Sequence, residues 1–555
     1  MKLRGILLAL CVPTVVHAGG LFLPGAGAVS TSRAGAGVAS TDDGEAIAIN
    51  PAGLAKASGT TITISLAAFD YFMQFTRAGS YDQISETDTA YEGKPFGTVK
   101  NTASPPLGIG GVQPVPVIAI VSDLGGKIPG LHVAAGVFAP NAYPFRDMSQ
   151  GYVLNQSGDD IAPPPTRYDI IKQEAAVILP SVAAAYRINK MLDVGARFSF
   201  GMANLKSTTG LWGMPNNYEE WIKNDGVFTV DAKDSFVPVF ALGATFRPSD
   251  NLEFGANFES EASIQATGTA VSTNGANVTL NGQPIEIRPP DDAGARCAPG
   301  GTVAELKACI GLSLPMNAQI GGRYRWLDAA GDEKADLEID VDWEHWGKTC
   351  AKNDQGVQTD LGCTSPSDYR VVVDGVIFVN GRDASLSLKD SVVRHGLQDT
   401  YAVRMGGSYH IPLDERHENS LILRAGVGYD TAAATTNWLR ADLDGAARTT
   451  ISAGAAYKTK RFRIDGGLGA ILEGSPTNNG LLAGNQVCNP NGALPGNPGA
   501  GCANGGTTET PVPDRKGPDP INPLLNSGLQ AESPINQGVF KSHYLMFMLG
   551  FTTWF

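Results

Sequence analysis

Fourteen short segments with an apolar residue at every second position constrain the fold of this chain more than any other feature. They lie near 59–76, 112–123, 131–140, 175–187, 191–204, 236–247, 251–264, 315–327, 334–346, 400–411, 420–430, 448–458, 461–473 and 541–555. A strand of about 9–11 residues with this period can cross a bilayer with one face in lipid. No backbone group can stay unpaired in lipid, so such strands must close on themselves. The pattern predicts an all-β, 14-stranded antiparallel transmembrane barrel over residues 59–555.

The connections between these segments are sorted by length. Short links alternate with long ones, and the long ones span 77–111, 141–174, 205–235, 265–314, 347–399, 431–447 and 474–540. With an even strand count and a periplasmic N-terminus, every long link falls on the outer face, as in outer-membrane barrels. A soluble sandwich has no reason to sort its loops in this way.

The two ends of the chain indicate export and assembly. Residues 1–18 have the basic start, short apolar run and small-residue cleavage site of a secretory signal peptide. Removing Lys2 and Arg4 takes the formal charge from -13 to -15, which argues against a nucleic-acid partner. At the other end, alternate apolar residues up to Phe555 resemble the signature by which the barrel assembly machinery recognises bacterial barrels. We therefore expect a multi-pass protein of the bacterial outer membrane.

The stretch from Gly19 to Ala57 is rich in Gly and Ala and nearly uncharged. It has neither a strand period nor a long apolar helix face, so it would pack poorly as a free domain. It could fill the inside of a barrel, and we predict a hatch over residues 19–58. The alternative interpretation is a flexible N-terminal linker.

One predicted strand carries a row of acidic residues. Between Asp336 and Glu344 every second residue is Asp or Glu, so all five carboxylates share one face. Arg323, Arg325 and Arg404 are expected on the same inner side, so we interpret the row as a lumenal charge ladder paired across strands. The alternative is a hydrolase or calcium site.

Six cysteines of the mature chain fall in three long links: Cys297 and Cys309, Cys350 and Cys363, and Cys488 and Cys502. Six cysteines allow 15 connectivities. In an oxidising compartment, pairing within each loop is favoured, which predicts three intraloop disulfides. A zinc site is disfavoured because no CxxC motif or nearby His pair accompanies them.

Motifs of enzyme chemistry are missing from the sequence. No GxSxG elbow and no HExxH motif occurs, and Gly347-Lys348-Thr349 has Asp342 where a phosphate loop needs its first Gly. We therefore predict no catalytic residues, no cofactor and no bound metal.

Four stretches together resemble the FadL/TodX (OmpP1) family of outer-membrane transporters for hydrophobic compounds. They are Asn50-Pro51-Ala52, the strand end Val341-Asp342-Trp343-Glu344-His345-Trp346, the run from Leu397 to Gly406, and Leu423-Arg424-Ala425-Gly426 followed by Tyr429-Asp430. Their shared order, together with the independent strand count, extends the resemblance over essentially the whole mature chain.

The resemblance implies a monomeric 14-stranded barrel with a hatch and a passive route for ligands. A ligand would land in an apolar groove between outer loops, pass to a pocket inside, and leave sideways through an inward kink in the third strand. Long-chain fatty acids are the first expected ligands, and aromatic or alkane hydrocarbons are the alternative. Rival functions are a porin for polar solutes and an adhesin.

Candidate residues follow from that resemblance. This chain has Gln398 where fatty-acid members are expected to have Lys, so the carboxylate-binding candidates are Lys206, Arg197 and Arg404. The candidates for the remaining roles are Trp212 and Trp221 in the groove, Phe138 as an apolar ligand contact, Gly136, Pro140 and Asn141 at the kink, Leu21 and Phe22 at the hatch tip, and Asn50, Pro51 and Ala52 at the hatch base.

Overall fold

The structure is a computed structural model of the 555-residue chain. It describes residues 20–81, 83, 89–150, 162–211, 225–273, 279–280, 283–329, 331–347, 349–352, 358–364, 366, 368–379, 381–388, 391–393, 395, 397–415, 418–434, 439–443, 445–478 and 538–555. The predicted signal peptide, residues 1–18, lies outside these ranges.

Fourteen antiparallel strands form the wall of a closed barrel. They are β1 (Thr60–Arg77), β2 (Val112–Ser122), β3 (Leu131–Phe138), β4 (Lys172–Arg187), β5 (Leu192–Leu211), β6 (Gly226–Phe246), β7 (Leu252–Glu259), β8 (Asn317–Leu327), β9 (Glu333–Glu344), β10 (Thr400–Pro412), β11 (Ser420–Asp430), β12 (Arg448–Lys458), β13 (Phe462–Gly474) and β14 (Gly538–Trp554). Each pairs with its neighbours in the chain, and β1 pairs with β14 from Thr61↔Trp554 to Arg77↔Gly538. The predicted strand count and closure are confirmed.

The alternation of faces follows the prediction. On β9 the outward Leu337, Ile339 and Val341 are exposed, whereas the inward Glu338 and Asp340 are buried. Strands alternate side chains between faces, so one face meets lipid and the other meets the lumen. The outward apolar side chains around the barrel form a continuous band, which we call the lipid-facing belt.

Several strands run further outward than predicted. β5 continues to Leu211 and β6 begins at Gly226, with pairing such as Thr208↔Thr229, so the predicted loop 205–235 is too long. The remaining strands are Thr98–Lys100, Arg146–Asp147, Ala262–Thr273, Thr279–Leu280, Gln283–Arg288, Leu306–Leu314, Thr349–Lys352, Gln358–Thr364, Tyr369–Asp374, Val376–Val379, Arg382–Ser387, Ser391–Val393 and Thr477–Asn478. The long links therefore carry much of their own sheet structure.

The N-terminal residues 20–57, which we call the hatch, lie within the barrel. Two short helices, α1 (Gly27–Thr31) and α2 (Ala46–Ile49), precede a 3-10 turn at Pro51–Lys56. Further 3-10 turns occur at Leu124–Gly126 and Asp292–Gly294. Most hatch residues are buried and contact inward-facing residues from strands on all sides. Across the described ranges, no helix is long and apolar enough to span a membrane.

One predicted disulfide is present. Cys297 and Cys309 are bonded, with their Cα atoms 5.5 Å apart. The backbone register places Cys350 opposite Cys363, which fits the second predicted bridge without testing it. Cys488 and Cys502 lie outside the described residues, so that pair stays a prediction.

Candidate functional site

The acidic row on β9 holds the hatch. Arg33 of the hatch donates to Asp336 at 2.9 Å and to Glu338 at 2.8 Å, and all three side chains are buried. The same carboxylate of Glu338 accepts the backbone N–H of Ala39 at 2.6 Å. Asp340 accepts the N–H of Gly37 at 2.7 Å. Since a buried carboxylate needs hydrogen-bond donors, this row and the hatch backbone satisfy each other.

Two of the three predicted cross-strand partners pair with the row, whereas the third, Arg325, pairs with Glu333 outside it. Arg323 of β8 donates to Asp336 at 2.8 Å, and Arg404 of β10 pairs with Asp342 and with Asp430 of β11. The described residues contain no group of His, Cys, Asp and Glu side chains that could hold a metal. The row is therefore a structural ladder that also binds the hatch, a contact that the sequence analysis missed.

Inward-facing glycines give the hatch room to approach the wall. A Cβ added at Gly426 would lie 2.1 Å from the carbonyl carbon of Arg33, and one at Gly243 would lie 2.0 Å from Oδ1 of Asn50. Asn50 itself donates to the Val38 carbonyl at 2.7 Å and accepts the Ala52 N–H at 3.1 Å. These glycines are needed for close backbone approach, and their inward positions were readable from the strand period.

An apolar cluster lies on the outer side of the hatch. Its buried, mutually packed side chains are largely aromatic and include Leu23, Phe69, Tyr71, Phe75, Tyr143, Phe145, Trp346, Phe540 and Tyr544. Leu21 and Phe22 at the hatch tip pack into it, and the Phe22 ring lies 5.7 Å from the Trp346 ring. Arg448 holds the tip by donating to the Phe22 carbonyl at 2.6 Å, and it also pairs with Glu473.

The third strand leaves the wall after Phe138. β3 pairs with β2 from Val117↔Phe138 to Ser122↔Val133 and with β4 from Leu131↔Tyr186 to Phe138↔Leu179. The chain then turns inward, where Asn141, Tyr143 and Phe145 are buried. It rejoins β4 only at Arg146↔Gln173. We call the space between 112–116 of β2 and 174–178 of β4, which no described residue bridges by strand pairing, the wall gap.

The inward segment contacts the hatch directly. The Leu23 N–H donates to the Asn141 carbonyl at 2.7 Å, and the Asn141 side chain donates to the carbonyls of Pro24 and Gly25. The bend thus falls at the predicted Pro140 and Asn141. The predicted Gly136 lies instead in regular pairing, opposite Ala119 and Ser181. Proline cannot donate to a ladder, which explains why pairing stops before Pro140.

The predicted ligand residues lie in different places. Arg197 is buried against the hatch, where it donates to the Ile47 carbonyl at 2.8 Å and pairs with Glu259, and its guanidinium lies 4.8 Å from the Phe138 ring. Arg404 is part of the ladder. Lys206 is half-exposed and 3.9 Å from Asp231. Trp212 and Trp221 lie outside the described residues.

A buried ion cluster joins three outer links. Arg440 pairs with Asp169 and with Asp442, and His395 lies 3.0 Å from Asp442. Asp169 also accepts the N–H of Ala441 at 2.6 Å. Burial raises the pKa of Asp169 to about 6, although Arg440 opposes this. For Asp442, burial would raise the pKa, but Arg440 and His395 hold it well below its usual range.

A closed barrel with a lipid-facing belt, filled by its own N-terminal residues, defines an outer-membrane barrel protein of the plugged type. The model of the family described as outer membrane protein transport protein (OMPP1/FadL/TodX) matches residues 165–479. The chain belongs to this family, whose members transport hydrophobic compounds across the outer membrane.

Solved structures with the same fold span nearly the whole chain. A Pseudomonas aeruginosa FadL homologue is 13% identical, with a TM-score of 0.60, 97% of this chain covered and 100% of that chain. The P. putida toluene transporter TodX is 15% identical (TM-score 0.56), and the Ralstonia pickettii toluene transporter TbuX is 14% identical (TM-score 0.55); each match covers 96% of this chain and 99% of the other. No curated protein sequence matches the chain.

Proposed function

We propose that this protein takes up hydrophobic small molecules passively and releases them sideways through the wall gap. The observation that carries the proposal is the departure of residues 139–145 from the wall at the level of the apolar cluster. The inward-facing Ala175 and Val177 at the gap are only partly buried, whereas Leu179 below it is buried. In this proposal, a ligand that has displaced side chains of the apolar cluster leaves past these apolar residues.

The energetics support a route that needs no fuel. Each buried methylene contributes about 0.8 kcal/mol, so a long acyl tail gains roughly 10 kcal/mol on leaving water. A charge-assisted hydrogen bond to a head group adds only about 1.5–3 kcal/mol. Release into the bilayer keeps the tail in hydrocarbon, so transport can run downhill.

Long-chain fatty acids are the first substrate class that we propose. In this proposal Lys206, half-exposed on the outward face of β5, meets the carboxylate outside the wall, and the apolar cluster receives the tail after the ligand has entered. A specific observation favours uncharged aromatic hydrocarbons as the second candidate. Arg197, Arg404 and Arg448 are each already paired with carboxylates, and the apolar cluster is largely aromatic.

Uptake of labelled oleate and toluene, in cells with and without the protein, tests the proposal. Ala175→Trp places a bulky ring on the inner edge of the gap, whereas Ala176→Trp, one residue on, points outward and is the matched control. We expect a several-fold loss of uptake for the first variant and none for the second. Equal uptake by both would refute lateral release.

The substrate classes separate with one further variant. Lys206→Met should lower oleate uptake and leave toluene uptake unchanged if the carboxylate is captured there. If Lys206→Met takes up oleate and toluene as well as the wild-type protein does, Lys206 does not capture a carboxylate, and hydrocarbons become the proposed substrates.

A porin for polar solutes is the rival that conductance excludes or supports. Planar bilayers containing the protein should show little current, because the hatch is bound to the wall on all sides. A large steady current would defeat the proposal.

Deleting residues 19–22 tests whether the hatch tip gates passage. Unchanged uptake in the deletion variant would show that the tip has no gating role.

We further propose that the protein works as a monomer without catalysing a reaction, and that the barrel assembly machinery inserts it by its last strand. The outward Phe547, Leu549 and Phe551 of β14, with the exposed Phe555, support the last point. Replacing Phe555 with Ser should slow assembly in a reconstituted insertion assay.

A further inference from the structure

An apolar turn stands directly beside the wall gap. Residues 105–111 connect the outer link to β2, and their Leu107 and Ile109 are 84% and 88% exposed, the two most exposed large apolar side chains among the described residues. No charged residue occurs between Lys100 and Asp123. An exposed apolar pair in a wholly uncharged stretch marks a surface that meets something other than water.

The strand register gives the height of this turn. Val112 at its end lies opposite Asp70 of β1, and on the other side of β1 the same level is Leu545 of β14. Leu545 is outward and exposed, whereas the next outward residues above it are His543 and Lys541. The turn folds back on β2 through mutual hydrogen bonds between Ile109 and Val112. It therefore lies at the upper edge of the lipid-facing belt.

The inward segment of the third strand holds the turn in place. The Tyr143 hydroxyl donates to the Gly111 carbonyl at 2.5 Å, and Ser104 donates to the Gly110 carbonyl at 3.1 Å. Behind the turn, Asn101 accepts the Asp147 N–H at 2.9 Å. Leu107 and Ile109 thus project from a braced support and not from a loose loop.

We propose that Leu107 and Ile109, the apolar lip, insert among the acyl chains of the outer leaflet at the upper edge of the wall gap. Continuity with the lipid-facing belt and the absence of charge in the stretch select lipid as the occupant. Apolar side chains next to a belt of this kind gain by leaving water for hydrocarbon.

The apolar lip adds to the proposed function a place where the released molecule enters the bilayer. This consequence rests on the proposed function, whereas insertion of the lip into lipid does not. A molecule leaving through the wall gap would meet acyl chains gathered at the lip instead of water. Tyr143 belongs to the apolar cluster and also donates to the turn, so one side chain connects the wall gap with the lip.

Photocrosslinking tests the insertion without reference to transport. The full-length protein, carrying p-benzoylphenylalanine at position 107 or 109, is reconstituted in nanodiscs of phospholipid and lipopolysaccharide and irradiated. Position 320 on the lipid-facing belt, where Ile320 is 61% exposed, is the positive control. Position 303 is the matched negative control, because Val303 is a 53% exposed apolar residue in an outer link.

We expect lipid adducts at 107 and 109 in yields comparable to position 320 and several-fold above position 303. Lipid adducts at 107 and 109 in yields as low as at position 303 would overturn the proposed insertion. Adducts to another protein in whole outer membranes, without lipid adducts, would also overturn it. If wild-type protein crosslinks to lipid yet transports neither oleate nor toluene, the lip stands and the proposed function fails.

Discussion

Two parts of the barrel wall differ in how far neighbouring strands pair with each other. The wall formed by β8, β9 and β10 is paired along its length, with one register shift after Trp326. The pairs run from Asn317↔Glu344 to Leu327↔Glu333 on one side of β9 and from Ala335↔Tyr409 to Glu344↔Thr400 on the other. In the wall formed by β2, β3 and β4, pairing of β2 with β3 ends at Val117, and 112–116 face the gap. The first wall anchors the hatch and the second contains the wall gap.

Proline positions explain how the open wall can exist in lipid. Pro114 and Pro116 of β2 lie two residues apart, so their nitrogens point to the same side. Pairing of β2 with β1 is continuous from Thr60↔Ser122 to Asp70↔Val112, which places those nitrogens on the gap side. A proline has no N–H to leave unsatisfied, so the free edge loses two donors that lipid could not bond. The sequence of β2 therefore favours the wall gap, as does the kink after β3.

The largest effect is expected in the closed wall. Glu338→Ala removes a buried partner of Arg33 and the acceptor for the Ala39 N–H. Losing one member of a buried pair typically costs about 3–5 kcal/mol, because a charge is left without its partner. We expect a lower thermal midpoint, protease cleavage within the hatch and increased conductance in planar bilayers. The outward Ile339→Ala, one residue on, is the control and should leave the hatch protected.

A proline test contrasts the two walls directly. Ile118 has the same parity as Pro116, but it lies where β3 still pairs with β2, opposite Val137. Ile118→Pro should therefore remove a ladder hydrogen bond in lipid and destabilise the barrel by about 3 kcal/mol. Pro116→Ala adds an N–H at the gap and should cost less. Equal shifts in thermal unfolding for the two variants would show that β2 is paired alike along its length.

The seat of the hatch offers a smaller and more local test. Gly426→Ala puts a methyl group 2.1 Å from the hatch backbone, whereas Gly428→Ala, two residues on and facing the same side, meets nothing closer than 3.4 Å. Overpacking of this kind costs about 1–3 kcal/mol. The first variant should loosen the hatch in hydrogen exchange and the second should not. Matching exchange profiles would mean that the hatch does not depend on this contact.

Much of this architecture could be predicted because it follows from local rules. The fourteen strands, their faces and the bend at Pro140 come from a period of two and from the chemistry of proline. Leu306 and Ile310 show a limit of such rules: a spacing of four residues suits one face of a helix as well as one face of a strand, and the structure places both residues with Ala308 on the buried face of the strand Leu306–Leu314.

Contacts between distant parts of the chain could not be predicted in the same way. Arg33 meets Glu338 about three hundred positions later, and Asn141 meets Pro24, because the closed barrel brings them together. Pairing rules for one strand say nothing about what fills the lumen. The inward glycines were the available signal, since a barrel filled by side chains alone has no need for so many of them on its inner face.

The smallest effect is expected from pH, in the ion cluster that joins the outer links above both walls. Because the pKa of Asp169 is raised, this residue contributes to the free energy of unfolding fully at pH values below its ordinary pKa of 3.8. The contribution is lost as pH rises through about 6. Because the pKa of Asp442 is lowered, its contribution to the free energy of unfolding is present at pH values above 3.8 and is lost only in stronger acid. The cluster should thus resist opening better near pH 5 than at pH 7.5, which hydrogen exchange at Ala441, corrected for intrinsic rates, would measure. Asp169→Asn cannot titrate and should remove the difference; a difference that persists in this variant would assign it to another group.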